Sequence, residues 1–342
     1  MAIDASTSTS RRRPGRSRIA VAAAVLGAAA VVGCTIPTSP PPAVLPQPAG
    51  RGIVSGQAVA PSAGCSTAPG LAPGRSTVTI AWQGLARTAT VDVPATGSGP
   101  RPLLVSLHPF ALGPEAWEAY SGLAAAAVAR GYVVLTPLGS DPGPRWAVPG
   151  GLRTGIDDVG LINRLVDDLE DRGCIDRNRI VAAGFSAGAA MAQALSCTVP
   201  WRFRAVAGSG GTNLTELCPD SPPTSVLILH GTADPIAPLS GSVVPFAPPL
   251  GLPLASVVAT DAARAGCDAT PAVEDRAPTV RVSVFGGCDT DRRVEHWSLL
   301  GAGHTWAGAP SLIDLFAGPT NTDVAATTVA LDFFDSFVAP AP

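Results

Sequence analysis

From about residue 65 onward, short apolar runs alternate with stretches whose apolar positions recur at helical spacing. Thr77 to Trp82 and Thr88 to Val93 alternate polar and apolar residues, the period-two signature of a hairpin with one buried face. Leu103 to Leu107, Tyr132 to Thr136, Ile180 to Phe185, Arg204 to Ala207 and Val226 to His230 are short and nearly all apolar, as expected of strands covered on both faces. Val280 to Phe285 and Val294 to Leu299 extend the series. Between them lie helix patterns at Pro114 to Arg130, Ile156 to Arg172, Ala187 to Ser196, Ala255 to Ala265 and Asn321 to Phe337. In the second of these, Ile156, Val159, Leu161, Ile162, Leu165 and Leu169 fall on one side. Strands alternating with helices predict an α/β domain with a mostly parallel central sheet flanked by helices, here one unit over 65–342.

The first 64 residues follow a different rule. Five arginines lie between Arg11 and Arg18, and Ile19 to Val32 is an apolar run that ends at Val31-Val32-Gly33-Cys34. A basic segment before an apolar run of about 14 residues is the layout of a signal peptide, and the run is shorter than the roughly 20 residues a permanent span needs. Its end reads as a bacterial lipobox, which predicts cleavage of 1–33, lipidation of Cys34 and export to the outer face of the cell membrane, with plain secretion as the alternative. Residues 34–64 are rich in Pro and Ala, including Pro40-Pro41-Pro42. They bury too little apolar surface to offset chain entropy and read as a tether.

Composition narrows the function classes. Of 342 residues 46% are hydrophobic and 14% charged, which excludes a disordered polyelectrolyte. Outside the Arg11 to Arg18 run the charge is more negative than the formal −3, so nucleic acid is not an expected partner. No Cys-x-x-Cys or spaced His pair is present, and neither a metal nor an organic cofactor is expected.

Gly184-Phe185-Ser186-Ala187-Gly188 fits Gly-x-Ser-x-Gly, a weak pattern by itself. Here it follows an apolar strand and opens a helix, which puts Ser186 on a sharp strand-to-helix turn and leaves the Ala187 N–H free for an oxyanion. A serine nucleophile needs a base, and the chain has four histidines. In the order Ser, acid, His only His296 and His304 qualify. His296 lies within a strand, whereas His304 lies in the Gly301-Ala302-Gly303 loop and can lean over the turn. Asp234, after the strand ending in Leu229-His230, is the candidate acid, with Asp261 as a fallback and His230 read as structural. The second oxyanion donor should come from the loop after Leu107. Pro109 has no N–H, which leaves Phe110.

These residues resemble the polyhydroxybutyrate depolymerase, feruloyl esterase and acetylxylan esterase group of the α/β hydrolases, carbohydrate esterase family 1 in the broad sense. The likeness runs from about Ser76 to the C-terminus. It is carried by Leu107-His108, Asp157-Asp158-Val159-Gly160, Cys174-Ile175-Asp176, the Ser186 motif, His230-Gly231-Thr232-Ala233-Asp234-Pro235 and Gly303-His304-Thr305-Trp306. The resemblance implies an α/β-hydrolase fold, a Ser186–His304–Asp234 triad, an acyl-enzyme and an ester substrate of the feruloyl, acetyl or hydroxyalkanoate kind. It also makes His108, Trp146 and Trp306 candidate substrate contacts, the tryptophans by stacking on a phenolic or sugar ring. The family has Gly where this chain has Pro109. That departure keeps open a non-catalytic envelope lipoprotein that binds carbohydrate, and the shared motif keeps open a serine peptidase. Seven cysteines less Cys34 leave six, as in an exported member of such a family. Of the 15 possible connectivities, the preferred one pairs Cys197 with Cys218, Cys267 with Cys288 and Cys65 with Cys174.

Overall fold

Ten strands join in one sheet in the order β1-β2-β4-β3-β5-β6-β7-β10-β9-β8. They are β1 (Gly74–Trp82), β2 (Leu85–Val93), β3 (Arg101–Leu107), β4 (Val133–Pro137), β5 (Ile175–Phe185), β6 (Ala205–Ser209), β7 (Ser225–Gly231), β8 (Ala272–Ala277), β9 (Val280–Phe285) and β10 (Val294–Leu299). The computed structural model describes residues 59–66, 70–139, 143–149, 155–241, 251–289, 291–310 and 314–337. Cys34, the expected signal segment and all of the tether before residue 59 lie outside the described residues. The pairs β4-β3, β3-β5, β5-β6, β6-β7 and β7-β10 are parallel, and both flanks of the sheet are antiparallel. The mostly parallel sheet flanked by helices is what the alternating pattern predicts, and it fits the α/β-hydrolase fold that the resemblance implies.

Alternation along each strand sorts the core into two layers. Leu103, Val105 and Leu107 of β3 face one side, with Val206, Ile228 and Val294. They pack there against α3 (Asp158–Arg172), α4 (Ala187–Thr198) and α5 (Leu254–Arg264). Leu104, Val181, Leu227 and Trp297 face the other, against α1 (Pro114–Ser121), α2 (Leu123–Ala129) and α7 (Ala326–Asp335). Buried Trp117, Leu123, Leu331 and Phe334 fill that layer.

Several element boundaries differ from the sequence expectation, and four of the differences have a visible physical cause. The helix expected over Pro114 to Arg130 is broken at Gly122, which takes a left-handed φ of 61° and caps α1 through its N–H to Glu118 O. Strand β5 starts at Ile175 rather than Ile180, because Ile175 pairs with Arg101 across an irregularity in β3. Strand β8 carries the sequence AVEDRA, exposed along nearly its whole length, and only its pairing with β9 makes it a strand. The last helix begins at Ala326 rather than Asn321. The Asn321 and Asp323 side chains bond Thr279 instead and hold their segment as a loop.

Three disulfides join Cys65 to Cys174, Cys197 to Cys218 and Cys267 to Cys288. Arg264 buttresses the second, donating to the carbonyls of Ser196, Ser221 and Pro222 while paired with Asp261. A 21-residue separation corresponds to about 3 kcal/mol of loop entropy. The Cys197→Ser/Cys218→Ser variant is therefore expected to melt roughly 5–10 °C lower in calorimetry. An unchanged melting temperature would contradict this.

Candidate active site

Register brings the C-terminal ends of the parallel strands level. Leu107 pairs with Gly184, Phe185 with Ser209, Ser209 with Leu229, and Gly231 with Leu299. The segments that follow β3, β5, β6, β7 and β10 therefore emerge at one edge, where open α/β sheets place their ligands.

Ser186 stands between β5 and α4 with φ 53° and ψ −119°, a conformation costly for a residue with a Cβ and maintained only by its surroundings. Its N–H donates to Ser209 O at 2.9 Å and its carbonyl accepts from Ala190 at 3.0 Å. Two glycines make room for the turn. A Cβ on Gly188 would lie 2.1 Å from Leu107 O, and one on Gly211 would lie 2.1 Å from Ser186 O.

His304 Nε2 is 2.8 Å from Ser186 Oγ, and His304 Nδ1 is 2.8 Å from Asp234 Oδ2. An ionised carboxylate only accepts, so Nδ1 carries the proton and Nε2 offers its lone pair to the serine hydroxyl. The other carboxylate oxygen, Oδ1, accepts from Ile236 N at 2.8 Å and Ala237 N at 2.7 Å. Burial pushes the Asp234 carboxyl up. The hydrogen bond and charge of His304, with the Ala237 N–H and His230, outweigh burial and hold it below the ordinary carboxylate value. The Phe185 ring lies 4.9 Å from the His304 ring and walls its buried side. The His304 N–H donates to Ala317 O in the short helix α6 (Asp314–Ala317).

At the end of β3 the chain turns through Pro109. Ala111 N donates to Pro144 O at 2.8 Å and Leu112 N to Pro109 O at 3.4 Å, so the N–H groups that follow Phe110 are used internally. Among the described residues the Phe110 N–H has no such acceptor, and neither has the Ala187 N–H at the start of α4.

Several sequence expectations are corrected by burial. His108 is fully buried, accepts from Gly139 N at Nε2 and donates from Nδ1 to Pro109 O. Trp146 stacks on it at 4.6 Å and donates to His108 O. Trp306 is 2% exposed, stands edge-on to Trp117, and spends its indole N–H on Thr327. All three rings are buried rather than open at the surface, and they brace the loops beneath the site. Asp261, the fallback acid, is held on α5 by Arg264 and Gln193. The sequence reading misses Phe185 and Gly211, although Gly208-Ser209-Gly210-Gly211 at the end of the apolar β6 signals the second.

Behind Asp234, His230 donates to Ala237 O at 2.7 Å. Its neighbour His296 has a fully shielded Nε2 without a partner among the described residues. Burial, reinforced by His230, pushes His296 down to about 4. The unfolded chain takes up this proton near 6.5 and the folded chain near 4, so between these values the unfolded state binds more protons and stability falls as pH falls. The whole gap corresponds to about 3 kcal/mol, of which about 2 kcal/mol falls between pH 7 and pH 4.5. His296→Gln is expected to flatten the loss of denaturant resistance between pH 7 and pH 4.5 by about that amount. An equally steep loss in the variant would refute it.

Residues 156–244 match the family model described as Phospholipase/Carboxylesterase. Over 92% of the chain and 97% of the relative, 344 aligned residues are 30% identical to "Putative esterase NocK" of Nocardia uniformis subsp. tsuyamanensis. The chain belongs to this esterase family. It is a serine carboxylic-ester hydrolase on an α/β-hydrolase fold. The esterase is also 32% identical over 188 residues to feruloyl esterase D of Neurospora crassa, covering 52% of its own length and 63% of that protein. The acetyl xylan esterase of Aspergillus awamori shares its fold at a TM-score of 0.54 and 15% identity, over 77% of the esterase and 100% of the other chain.

Proposed function

We propose that Ser186, His304 and Asp234 form the catalytic triad and that the N–H groups of Ala187 and Phe110 form the oxyanion hole. The observation that carries this reading is the pair of 2.8 Å hydrogen bonds linking Ser186 Oγ to His304 and His304 to Asp234. Ser186 Oγ attacks the ester carbonyl while His304 Nε2 takes its proton, and Asp234 holds the imidazolium that results. The carbonyl electron pair moves onto oxygen, where the two N–H groups at the free start of α4 and the end of β3 meet it. His304 then returns the proton to the departing alcohol. Water attacks the acyl-enzyme by the same route and releases the acid and free Ser186.

Substrates under this reading are carboxylic esters of the feruloyl, acetyl or hydroxyalkanoate kind. The enzyme is exported and tethered to the outer face of the cell membrane through lipidated Cys34. A fluorophosphonate probe should label the full chain, and Ser186→Ala should remove the label. Labelling that survives the substitution would overturn the triad, and a mass measurement finding free Cys34 would overturn the anchor.

A further inference from the structure

Five large apolar side chains are exposed among the described residues: Leu85, Phe110, Ile236, Val273 and Phe316. Leu85 and Val273 lie on β2 and β8, toward opposite ends of the sheet. The other three, between 42% and 50% exposed, all sit on segments that hold the Ser186 site. Phe110 follows the buried His108-Pro109 turn, whose backbone packs against Gly188. Ile236 donates its N–H to Asp234. Phe316 precedes Ala317, whose carbonyl anchors the His304 backbone. The last two segments touch. A Cβ on Gly303 would strike Ala317 O at 1.9 Å, and Gly318 lies against both Gly303 and the Ala233 carbonyl.

Leaving such surface in water is unfavourable, and three exposed apolar side chains on the segments that carry one site mark a surface that is covered in use. Which part of an ester covers which side chain follows from the proton path. His304 delivers its proton to the leaving oxygen, so the alcohol departs on the side of the His304 and Asp234 loops. The carbonyl oxygen points to the Ala187 and Phe110 N–H groups. We propose that Ile236 and Phe316 form an apolar subsite for the alcohol part of the ester, and that the Phe110 ring, with the Arg145 guanidinium 4.8 Å over it, flanks the carbonyl side. This rests on the triad assigned above and narrows its substrate: the alcohol is an alkyl or aryl alcohol rather than a sugar hydroxyl. A sugar would leave Ile236 and Phe316 facing hydroxyl groups that they cannot hydrogen-bond.

The test holds the acyl group constant. The full chain is assayed on hexyl acetate, benzyl acetate and methyl 6-O-acetylglucoside. Its kcat/KM is expected to be about tenfold or more higher for the two apolar acetates. Ile236→Ser/Phe316→Ser should reduce that preference by about tenfold, with an unchanged melting temperature confirming that it folds. Leu85→Ser/Val273→Ser, equally exposed but distant, should leave the preference where it was. Equal or better turnover of the sugar acetate by the parent, or a preference untouched by the rim substitutions, would overturn the subsite alone. If the parent neither takes the fluorophosphonate label nor turns over any acetate, the triad assignment and the subsite fall together.

Discussion

On the proposed triad, Ser186→Ala is expected to lower kcat by on the order of 10⁵-fold or more, with KM little changed, because the substitution would remove the attacking oxygen and leave the binding surfaces intact. His304→Ala should cost nearly as much. A nucleophile without its base and a base without its nucleophile fail at the same step, so the double variant should be hardly worse than either single one. Steady-state kinetics on p-nitrophenyl acetate measures all three. A drop of less than tenfold in Ser186→Ala, or losses that multiply in the double variant, would show that the two side chains do not act as a unit.

Asp234→Asn should cost about 10⁴-fold in kcat, and the reason lies in how the carboxylate is held. Oδ1 accepts from the N–H groups of Ile236 and Ala237, so the asparagine amide must place its oxygen there. Its NH₂ group then faces His304 Nδ1 and forces that nitrogen to accept. The ring proton moves to Nε2, where no lone pair remains for the serine hydroxyl. The loss should therefore appear in kcat with the fold intact. A variant retaining more than a tenth of the parent rate would mean that Asp234 does not set the tautomer. The carboxyl of Asp234 lies below its ordinary value of 3.8 in the folded chain, so its contribution to stability is present above that pH and is lost as pH falls through the lower folded value. Asp234→Asn should accordingly lose less stability than the parent on acidification through this window.

Much of this site was legible before the fold. Strand-to-helix placement singled out Ser186, the Ser, acid, His order together with a Gly-rich loop singled out His304, and an Asp after an apolar strand gave Asp234. Apart from that order, which spans 186 to 304, these are local patterns, each confined to about ten consecutive residues. The aromatic residues misled because side-chain type does not say which way a ring points. Trp306 lies two residues from His304 and Trp146 lies in the loop after β4, but both point into the protein, where Trp117, Thr327 and His108 take up their edges and N–H groups.

The sequence alone determined the α/β class, the order of nine of the ten strands and of the longer helices, and the candidate nucleophile, base and acid, because periodicity and turn chemistry act over a few residues. Tertiary structure alone decided that AVEDRA is a strand, that His108 is a brace, and that Phe110, Ile236 and Phe316 stay in solvent on segments that hold Ser186 and its partners. Each of these depends on contacts between residues far apart in the chain, and burial is a property of the packed whole rather than of any segment.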